Sequence, residues 1–262
     1  MNIVRVLLSL AANRGWSMLQ YDVKSTFLHG NLDEEIYMEV PPGFESESNK
    51  VCKLKKRFYG IKQSPRVWFG RFSKVMKAMG YKQSQGDHTL FVKHLASRGI
   101  IAMLVYVDYL IVTGDDLEGR EALRKCVVQE FEIKELDKLK YFLGIEVAHF
   151  QHGIFISQQK YELNLLSETW KLGCKPVETP IEQNHKLCEA AEDTMVDRES
   201  YQRLVGRLIY LPHTRSDMAH AIGVVSPFMH NPKKVHLQVA HRILQYLKEV
   251  WGEENYSRKE KS

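Results

Sequence analysis

The sequence predicts an α+β fold, with strands and helices mixed over roughly the first 155 residues and mostly helices after them. Residues 103–107 and 110–112 are apolar, β-branched or aromatic runs of strand length, separated by the pair Asp108-Tyr109. Such runs predict two buried strands joined by a tight turn. Residues 64–80 carry helix start and stop signals, and residues 201–248 repeat apolar side chains at helical spacing.

The first elements along the chain are a helix and short strands. An amphipathic helix begins near Asn2 and ends at Gly15, a residue type common at helix C-termini. Residues 16–23 form a strand-like run that includes Asp22, and residues 51–54 form a further short strand. Between them, residues 33–40 alternate in polarity until a Pro-Pro-Gly sequence ends the pattern.

The clearest helix begins at Ser64, a good N-cap, with Pro65 at the first helical position and Gly80 after its end. Apolar residues fall on one face of it: Trp68, Phe72, Val75, Met76 and Met79. We interpret Trp68 and Phe72 as core residues rather than ligand contacts.

After the strand pair, Asp115 or Asp116 caps a helix that runs to about residue 131. Residues 140–148 predict an apolar strand in which Gly144 marks a bulge or a close backbone approach, and residues 153–157 predict its hairpin partner. Residues 158–170 are helical and residues 176–197 form a polar linker. Helices follow at residues 201–211, 218–229 and 236–248.

The composition is that of a globular protein, with 44% hydrophobic and 26% charged residues. The formal net charge of +5 permits an anionic partner such as nucleic acid without requiring one. No apolar run has membrane-spanning length, residues 3–12 lack the basic flank of a signal peptide, and the four cysteines lack metal-site spacing. These features predict an intracellular protein, cytoplasmic or nuclear and not secreted, with reduced thiols and no membrane partner.

Two aspartates are candidates for a metal site. Asp108 lies at the predicted turn, where an exposed turn aspartate and a carboxylate with a partner or metal are both open interpretations. Asp22 ends one strand, and the order strand, helix, strand pair is that of a split βαβ sheet, in which a strand end and a hairpin tip lie side by side. Paired carboxylates suit Mg²⁺, and two such ions about 4 Å apart serve in-line phosphoryl transfer.

A basic run lies before the clearest helix. It consists of Lys53, Lys55, Lys56 and Arg57, with two aromatic residues directly after it. A contact with a nucleic-acid backbone and a solvated charged face are both open interpretations of this run.

Five long blocks of the sequence, residues 20–44, 53–69, 104–118, 131–147 and 201–221, occur in the order found in a known family. Through them nearly the whole chain resembles the reverse transcriptase domain of copia-type LTR retrotransposon Pol polyproteins. The resemblance implies a polymerase palm, a split βαβ-type antiparallel sheet with helices, together with partial fingers and a helical thumb-like C-terminal region. The implied organisation is partial fingers and palm at 1–156, a thumb-like helix at 157–181, a polar linker at 182–198, a thumb- or connection-like helical region at 199–250 and a charged tail at 251–262.

The same resemblance implies RNA-directed DNA synthesis with an RNA template, a DNA primer, deoxynucleoside triphosphates and two Mg²⁺ ions. Asp22 and Asp108 match the catalytic metal ligands, and the backbone carbonyl of Val23 is implied as a further ligand. Phe27 matches the aromatic that packs under the incoming sugar, with a plain core aromatic as the alternative. The nucleotide and template site is matched by Gln63 and Ser64, and the primer grip by Phe142, Leu143 and Gly144.

One departure from the family changes the expected activity. The family has a second aspartate directly after the first in the hairpin, and this chain has Tyr109. A phenol with an ordinary pKa of about 10 is neutral at pH 7 and binds Mg²⁺ poorly. Asp115 and Asp116 lie past the second strand and are not expected to replace the missing carboxylate.

The sequence also begins after the family's upstream finger strands and carries no ribonuclease H block. Together with Tyr109, this predicts a truncated, mutated copy with little or no polymerase activity. The alternatives are a non-catalytic nucleic-acid-binding remnant and a decayed reading frame without a selected role.

Overall fold

The structure, a computed structural model, describes residues 2–24, 26, 35–41, 43–44, 51–54, 64–95, 99–150, 153–183, 187 and 196–259. This part of the chain is a mixed α and β protein with antiparallel sheets and seven α-helices. It divides into two compact units, one of residues 1–139 and 149–154 and the other of residues 140–148 and 155–262. The mixture of strands and helices is confirmed, whereas the finer domain boundaries stay a prediction.

The first unit is built on a six-stranded antiparallel sheet. Its elements are α1 (Asn2–Arg14), β1 (Leu19–Val23), β2 (Tyr37–Glu39), β3 (Val51–Lys53), α2 (Ser64–Ala78), β4 (Lys82–Gln83), β5 (Leu90–His94), β6 (Ile100–Tyr106), β7 (Tyr109–Gly114), α3 (Leu117–Glu130) and β8 (Ile133–Lys138). The sheet order is β4-β5-β6-β7-β1-β8, and β2 and β3 form a separate hairpin. β1 therefore lies inside the sheet, bonded to β7 on one side and β8 on the other.

Both faces of this sheet are buried. On one face, side chains of β1, β6 and β7 join α2 and α3 in one hydrophobic cluster. The opposite face is also closed to solvent at Gln20, Ala102, Leu104, Ile111 and Thr113, and α1 contacts β7. Because successive strand residues point to opposite faces, burial on both faces explains why the run at 103–112 is apolar without alternation.

Several helix boundaries follow the sequence signals. Gly15 directly follows α1 with φ +65°, and Gly80 lies just after α2 with φ +83°, both in the left-handed region that favours glycine. Asp116 is the N-cap of α3, and this helix ends beside Phe131, as predicted.

The β6–β7 hairpin turns one residue earlier than predicted. Its loop residues are Val107 and Asp108, and Tyr109 is the first residue of β7, paired with Tyr106 of β6. The predicted turn at Asp108-Tyr109 is wrong because Tyr109 also pairs with Asp22 of β1 and so belongs to the sheet. Val107, predicted as a strand residue, adopts φ +54° in the loop.

The remaining elements are β9 (Tyr141–Phe142), β10 (Ile145–Phe150), β11 (Gly153–Ser157), α4 (Gln159–Glu168), α5 (Arg198–Leu208), α6 (Ala219–Val225) and α7 (Lys234–Lys259). The three strands form a sheet in the order β11-β10-β9. Helices α4 to α7 enclose the hydrophobic cluster of the second unit. The last helix continues to Lys259 instead of ending near residue 248, and α6 is shorter than predicted because 3-10 turns flank it.

The predicted single strand at residues 140–148 is instead a hairpin of β9 and β10. Leu143 and Gly144 form its two-residue turn with φ +48° and +78°, and positive φ at both positions is the mark of a type I′ turn. The glycine therefore marks a chain reversal rather than a bulge. β11 lies beside β10, as predicted, whereas β4, β5 and β8 have no counterpart among the predicted strands.

Among the described residues, no helix combines the length and the apolar composition needed to cross a membrane. Cys52, Cys126 and Cys174 are free thiols, and Cys188 lies outside the described residues.

Candidate active site

Asp22 lies in a row of residues that crosses four neighbouring strands. It is the ladder partner of Tyr109 in β7 and of Lys134 in β8, and Tyr109 is in turn the partner of Tyr106 in β6. Directly opposite residues of antiparallel strands present their side chains on the same face of the sheet. Tyr106, at 45% exposure, and Lys134 are exposed, and Asp22 and Tyr109 are half-buried, so this row forms an open end of the sheet face.

Asp108 is held next to this row by the loop of the β6–β7 hairpin. The Val23 N–H donates to the Asp108 carbonyl at 2.7 Å, which ties the loop to the strand that carries Asp22. The pKa of the half-buried Asp108 carboxyl is raised, first because burial disfavours its charged form and further because of the Asp22 charge, while a backbone hydrogen bond opposes the shift. The 2.7 Å hydrogen bond thus holds the loop of Asp108 beside the strand of Asp22, and the role of the two carboxylates with a metal stays a prediction.

The other loop residue, Val107, has an unfavourable backbone. A positive φ is a steric outlier for a β-branched residue, and glycine is the usual residue at the first position of such a loop. The indole N–H of Trp68 in α2 donates to the Val107 carbonyl at 2.8 Å. The helical spacing predicted Trp68 as a core residue, which its 2% exposure confirms, but missed this hydrogen bond. A general rule predicts such a hydrogen bond, because the indole N–H of a buried tryptophan normally has an acceptor.

The donor set around the two carboxylates is made of oxygen atoms. The Val23 carbonyl, predicted as a metal ligand, accepts a hydrogen bond from the Thr26 hydroxyl at 2.7 Å. A carbonyl oxygen has two lone pairs, so one remains available to a cation. Two carboxylates and a carbonyl fit a hard cation such as Mg²⁺. No group of three or more histidine, cysteine or acidic side chains with metal-site geometry occurs among the described residues.

The other aspartates near the hairpin have structural roles at its far end. The Asp115 carboxylate accepts from the Ile100 N–H at 2.7 Å and closes the start of β6. Asp116 is the N-cap of α3. Since β7 separates both from Asp108, neither replaces a carboxylate at position 109.

Several predicted site residues lie outside the described part of the chain. These are Phe27, Gln63, Lys55, Lys56 and Arg57. Ser64 is described as the buried first residue of α2. Lys53, predicted to contact a nucleic-acid backbone, forms an exposed ion pair with Glu35 across the β2–β3 hairpin. This ion pair neither supports nor excludes the predicted contact, which stays a prediction.

The residues predicted as a primer grip belong to the second unit. Phe142 is buried in β9, and Leu143 and Gly144 form the following turn. The hydroxyl of Tyr210 donates to the Leu143 carbonyl, and the Tyr210 ring lies over Gly144, where a β-carbon would meet it at 3.3 Å. Tyr210 thus packs against this turn, whose role with a primer stays a prediction.

Comparison with known proteins identifies the family. The family described as reverse transcriptase (RNA-dependent DNA polymerase) matches residues 1–183. The chain belongs to this reverse transcriptase family. Among its relatives are the retrovirus-related Pol polyproteins from transposons RE1 and RE2 of Arabidopsis thaliana, each 39% identical over 93% of the chain, and from transposon TNT 1-94 of Nicotiana tabacum, 37% identical over 97% of the chain.

The predicted resemblance to copia-type retrotransposon reverse transcriptases is thereby confirmed, since these relatives are Pol polyproteins of copia-type transposons. The aligned region is 17% of the length of the two Arabidopsis polyproteins and 20% of the tobacco polyprotein. The chain thus corresponds to the reverse transcriptase portion of much longer proteins.

Proposed function

We propose that this chain is a reverse transcriptase domain whose reaction is RNA-directed DNA synthesis from deoxynucleoside triphosphates, with Asp22 and Asp108 as its metal-binding carboxylates. The observation that supports the assignment most directly is the 2.7 Å hydrogen bond from the Val23 N–H to the Asp108 carbonyl, because it holds the loop of Asp108 against the strand of Asp22 at an open sheet end. In this proposal the six-stranded sheet with α2 and α3 is the polymerase palm, β2 and β3 belong to the fingers, and α4 to α7 form the thumb-like region. An RNA template and a DNA primer are the proposed partners.

Asp22, Asp108 and the Val23 carbonyl are the groups that would hold Mg²⁺. When bound, two such ions lower the pKa of the primer 3′-hydroxyl and stabilise the charge on the leaving pyrophosphate. Burial raises the pKa of Asp108, so protons compete with a cation for this carboxylate more strongly than for an aspartate of ordinary pKa. Asp22 lies on an interior strand, so the sheet fixes its backbone on both sides.

We further propose that Tyr109 impairs the reaction in this chain. Its side chain lies on the same face as Asp22, at the position where the family has a second hairpin aspartate. A neutral phenol supplies no anionic ligand at neutral pH, and its ring is larger than a carboxylate. Loss of one electrostatic group of this kind lowers a rate by roughly 10²–10³-fold.

Primer extension on an RNA template tests this proposal with Mg²⁺ and with Mn²⁺. We expect little extension by the parent chain and about 10²-fold or more after Tyr109→Asp. The control is Val128→Asp, which adds a negative charge at an exposed residue of α3 and is expected to leave extension unchanged. Asp22→Asn in the Tyr109→Asp background is expected to abolish extension.

Each other outcome contradicts a stated part of the proposal. Strong extension by the parent chain contradicts impairment by Tyr109, and extension that survives Asp22→Asn contradicts the metal site. Salt-dependent binding to an RNA–DNA hybrid without extension by either form supports the alternative, a non-catalytic nucleic-acid-binding protein.

A further inference from the structure

We propose that Trp68 is a positioning residue for the carboxylate pair, because its indole N–H fixes the orientation of the peptide that joins Val107 to Asp108. This inference rests on the proposed function for its catalytic meaning, and its structural part is tested separately. The hydrogen bond from the Trp68 Nε1 to the Val107 oxygen is 2.8 Å long. The acceptor belongs to the central peptide of the two-residue loop that carries Asp108.

The orientation of that peptide decides where the Asp108 side chain lies. Val107 has φ +54°, whereas Asp108 does not have a positive φ, which is the pattern of a type II′ loop. Rotation of the central peptide by half a turn converts this loop to type I′, in which the second residue also has a positive φ. Such a rotation turns the Val107 carbonyl away from Trp68 and moves the Asp108 side chain, so the indole hydrogen bond selects one of two loop forms.

The loop is held from two directions. The Val23 N–H, on the strand of Asp22, donates to the Asp108 carbonyl at 2.7 Å. Trp68 holds the preceding carbonyl from α2. Since consecutive carbonyls are bonded to two different elements of the first unit, Asp108 is fixed relative to Asp22 although it lies in a loop.

Trp68 is itself held firmly enough to act in this way. It is 2% exposed, and its ring contacts Phe131 at a centroid distance of 4.9 Å and Phe72 at 5.5 Å. The tryptophan therefore has two separable roles, ring packing in the core and hydrogen bonding to the loop. Trp68→Phe keeps an aromatic ring and removes the donor, whereas Phe72→Leu one turn later removes aromatic packing and leaves the donor in place.

The structural test compares these two variants of the full chain by NMR. In Trp68→Phe we expect changed backbone couplings at residues 107 and 108 and new microsecond-to-millisecond exchange at the Asp108 amide. In Phe72→Leu we expect a lower urea midpoint and an unchanged loop. A loop unaffected by Trp68→Phe, or disturbed equally by both variants, overturns the inference.

A second measurement on the parent chain covers the case in which Trp68→Phe fails to fold. We expect the Trp68 indole N–H to exchange with deuterium at least about 10²-fold more slowly than free indole, because it is buried and bonded. We also expect a deuterium isotope shift on the Val107 carbonyl carbon. Exchange at the rate of free indole without that shift overturns the inference.

Electron paramagnetic resonance, with Mn²⁺ alone as the probe, measures whether Trp68 affects metal binding by the two carboxylates. We expect Trp68→Phe to weaken Mn²⁺ binding about tenfold, a loss of about 1.4 kcal/mol, and Phe72→Leu to leave it unchanged. The proposed function is contradicted if the parent chain binds no Mn²⁺ or if binding survives Asp22→Asn. In either case the NMR measurement of the loop alone tests the positioning role of Trp68. Equal Mn²⁺ affinity in the parent and Trp68→Phe contradicts the positioning of the carboxylate.

Discussion

Asp22 and Tyr109 lie directly opposite each other in the β1–β7 ladder, with their side chains on the same face of the sheet. A tyrosine therefore stands beside one of the two proposed metal-binding carboxylates, at the position where the resemblance implies a second hairpin aspartate. The neighbouring ladder partner on the other side is Lys134, a cation. The row thus combines two phenols, a carboxylate and an ammonium group, and it carries less negative charge than a row with aspartate at position 109.

Restoring the aspartate will change stability as well as activity. In Tyr109→Asp, two like charges lie directly opposite each other, and such pairs lower the free energy of unfolding by about 0.2–1 kcal/mol. Millimolar Mg²⁺ is expected to reverse this loss by binding the folded state. Urea unfolding with and without Mg²⁺ measures both effects. The control Val128→Asp adds a negative charge at an exposed residue of α3 and is expected to show no response to Mg²⁺; a response equal to that of Tyr109→Asp speaks against a specific site.

The raised pKa of Asp108 gives stability a defined pH dependence. A carboxyl whose pKa is higher in the folded state binds its proton more tightly there, so it contributes stability at low pH that is lost as the pH rises through the folded pKa. We expect Asp108→Asn to be more stable than the parent chain at pH 7 and the difference to shrink as the pH falls through the carboxyl range. Urea midpoints across that range measure the difference.

Asp87 supplies a control of opposite sign. The Thr89 hydroxyl donates to its carboxylate at 2.6 Å, and this bond holds the Asp87 pKa below its ordinary value. Its contribution to stability is present at neutral pH and is lost as the pH falls through the folded pKa. Asp87→Asn is therefore expected to be less stable than the parent chain at pH 7. The same pH trend in both variants contradicts the two assigned shifts.

Glycine at position 107 is expected to stabilise the first unit. A positive φ at a non-glycine residue costs about 1–3 kcal/mol, and the greater freedom of glycine in the unfolded chain offsets about 0.5–1 kcal/mol of the relief. Val107→Gly should thus raise the free energy of unfolding by about 1 kcal/mol. Val128→Gly is the control, since Val128 is 48% exposed in helix α3 and glycine there is expected to be destabilising. A destabilised Val107→Gly variant shows that Val107 is not strained.

Two glycines of the first unit are expected to respond to alanine in opposite directions. At Gly114, φ is +145° and a β-carbon collides with the Ile100 carbonyl of the neighbouring strand, so Gly114→Ala should destabilise by about 2 kcal/mol or more. At Gly70, inside α2, a β-carbon meets nothing within 4 Å. Gly70→Ala should stabilise by about 0.5–1 kcal/mol. Thermal unfolding distinguishes them, and equal effects contradict the close approach at Gly114.

Local sequence signals predicted the elements whose determinants lie within the element itself. The N-cap at Ser64 and the left-handed stop at Gly80 bound a helix with an apolar face, and α2 has nearly these limits. The edge strand β8 was not predicted because its sequence, IKELDK, has four charged residues and only two apolar ones. An edge strand needs few inward side chains, so its hydrophobic pattern is weak.

The hairpin turn was misplaced for a different reason. Valine is enriched in strands, so the sequence predicts Val107 as a strand residue, whereas the structure places it in a loop with a positive φ. The contact that accompanies this conformation comes from Trp68, 39 positions earlier, which no local pattern records. The chain order did predict that Asp22 and Asp108 lie near each other, because both follow from sheet topology. The register that places Lys134 opposite Asp22 includes a bulge in the β1–β8 pairing and is not readable from composition.

The interior position of β1 means that the two carboxylates are held by different kinds of backbone contact. Asp22 is attached to a strand bonded on both sides, and Asp108 to a two-residue loop fixed by two hydrogen bonds. Amides in the middle of a sheet open mainly by global unfolding, whereas loop amides open locally. Freeing Asp22 therefore requires the sheet itself to open, whereas freeing Asp108 requires only that the two hydrogen bonds of its loop break.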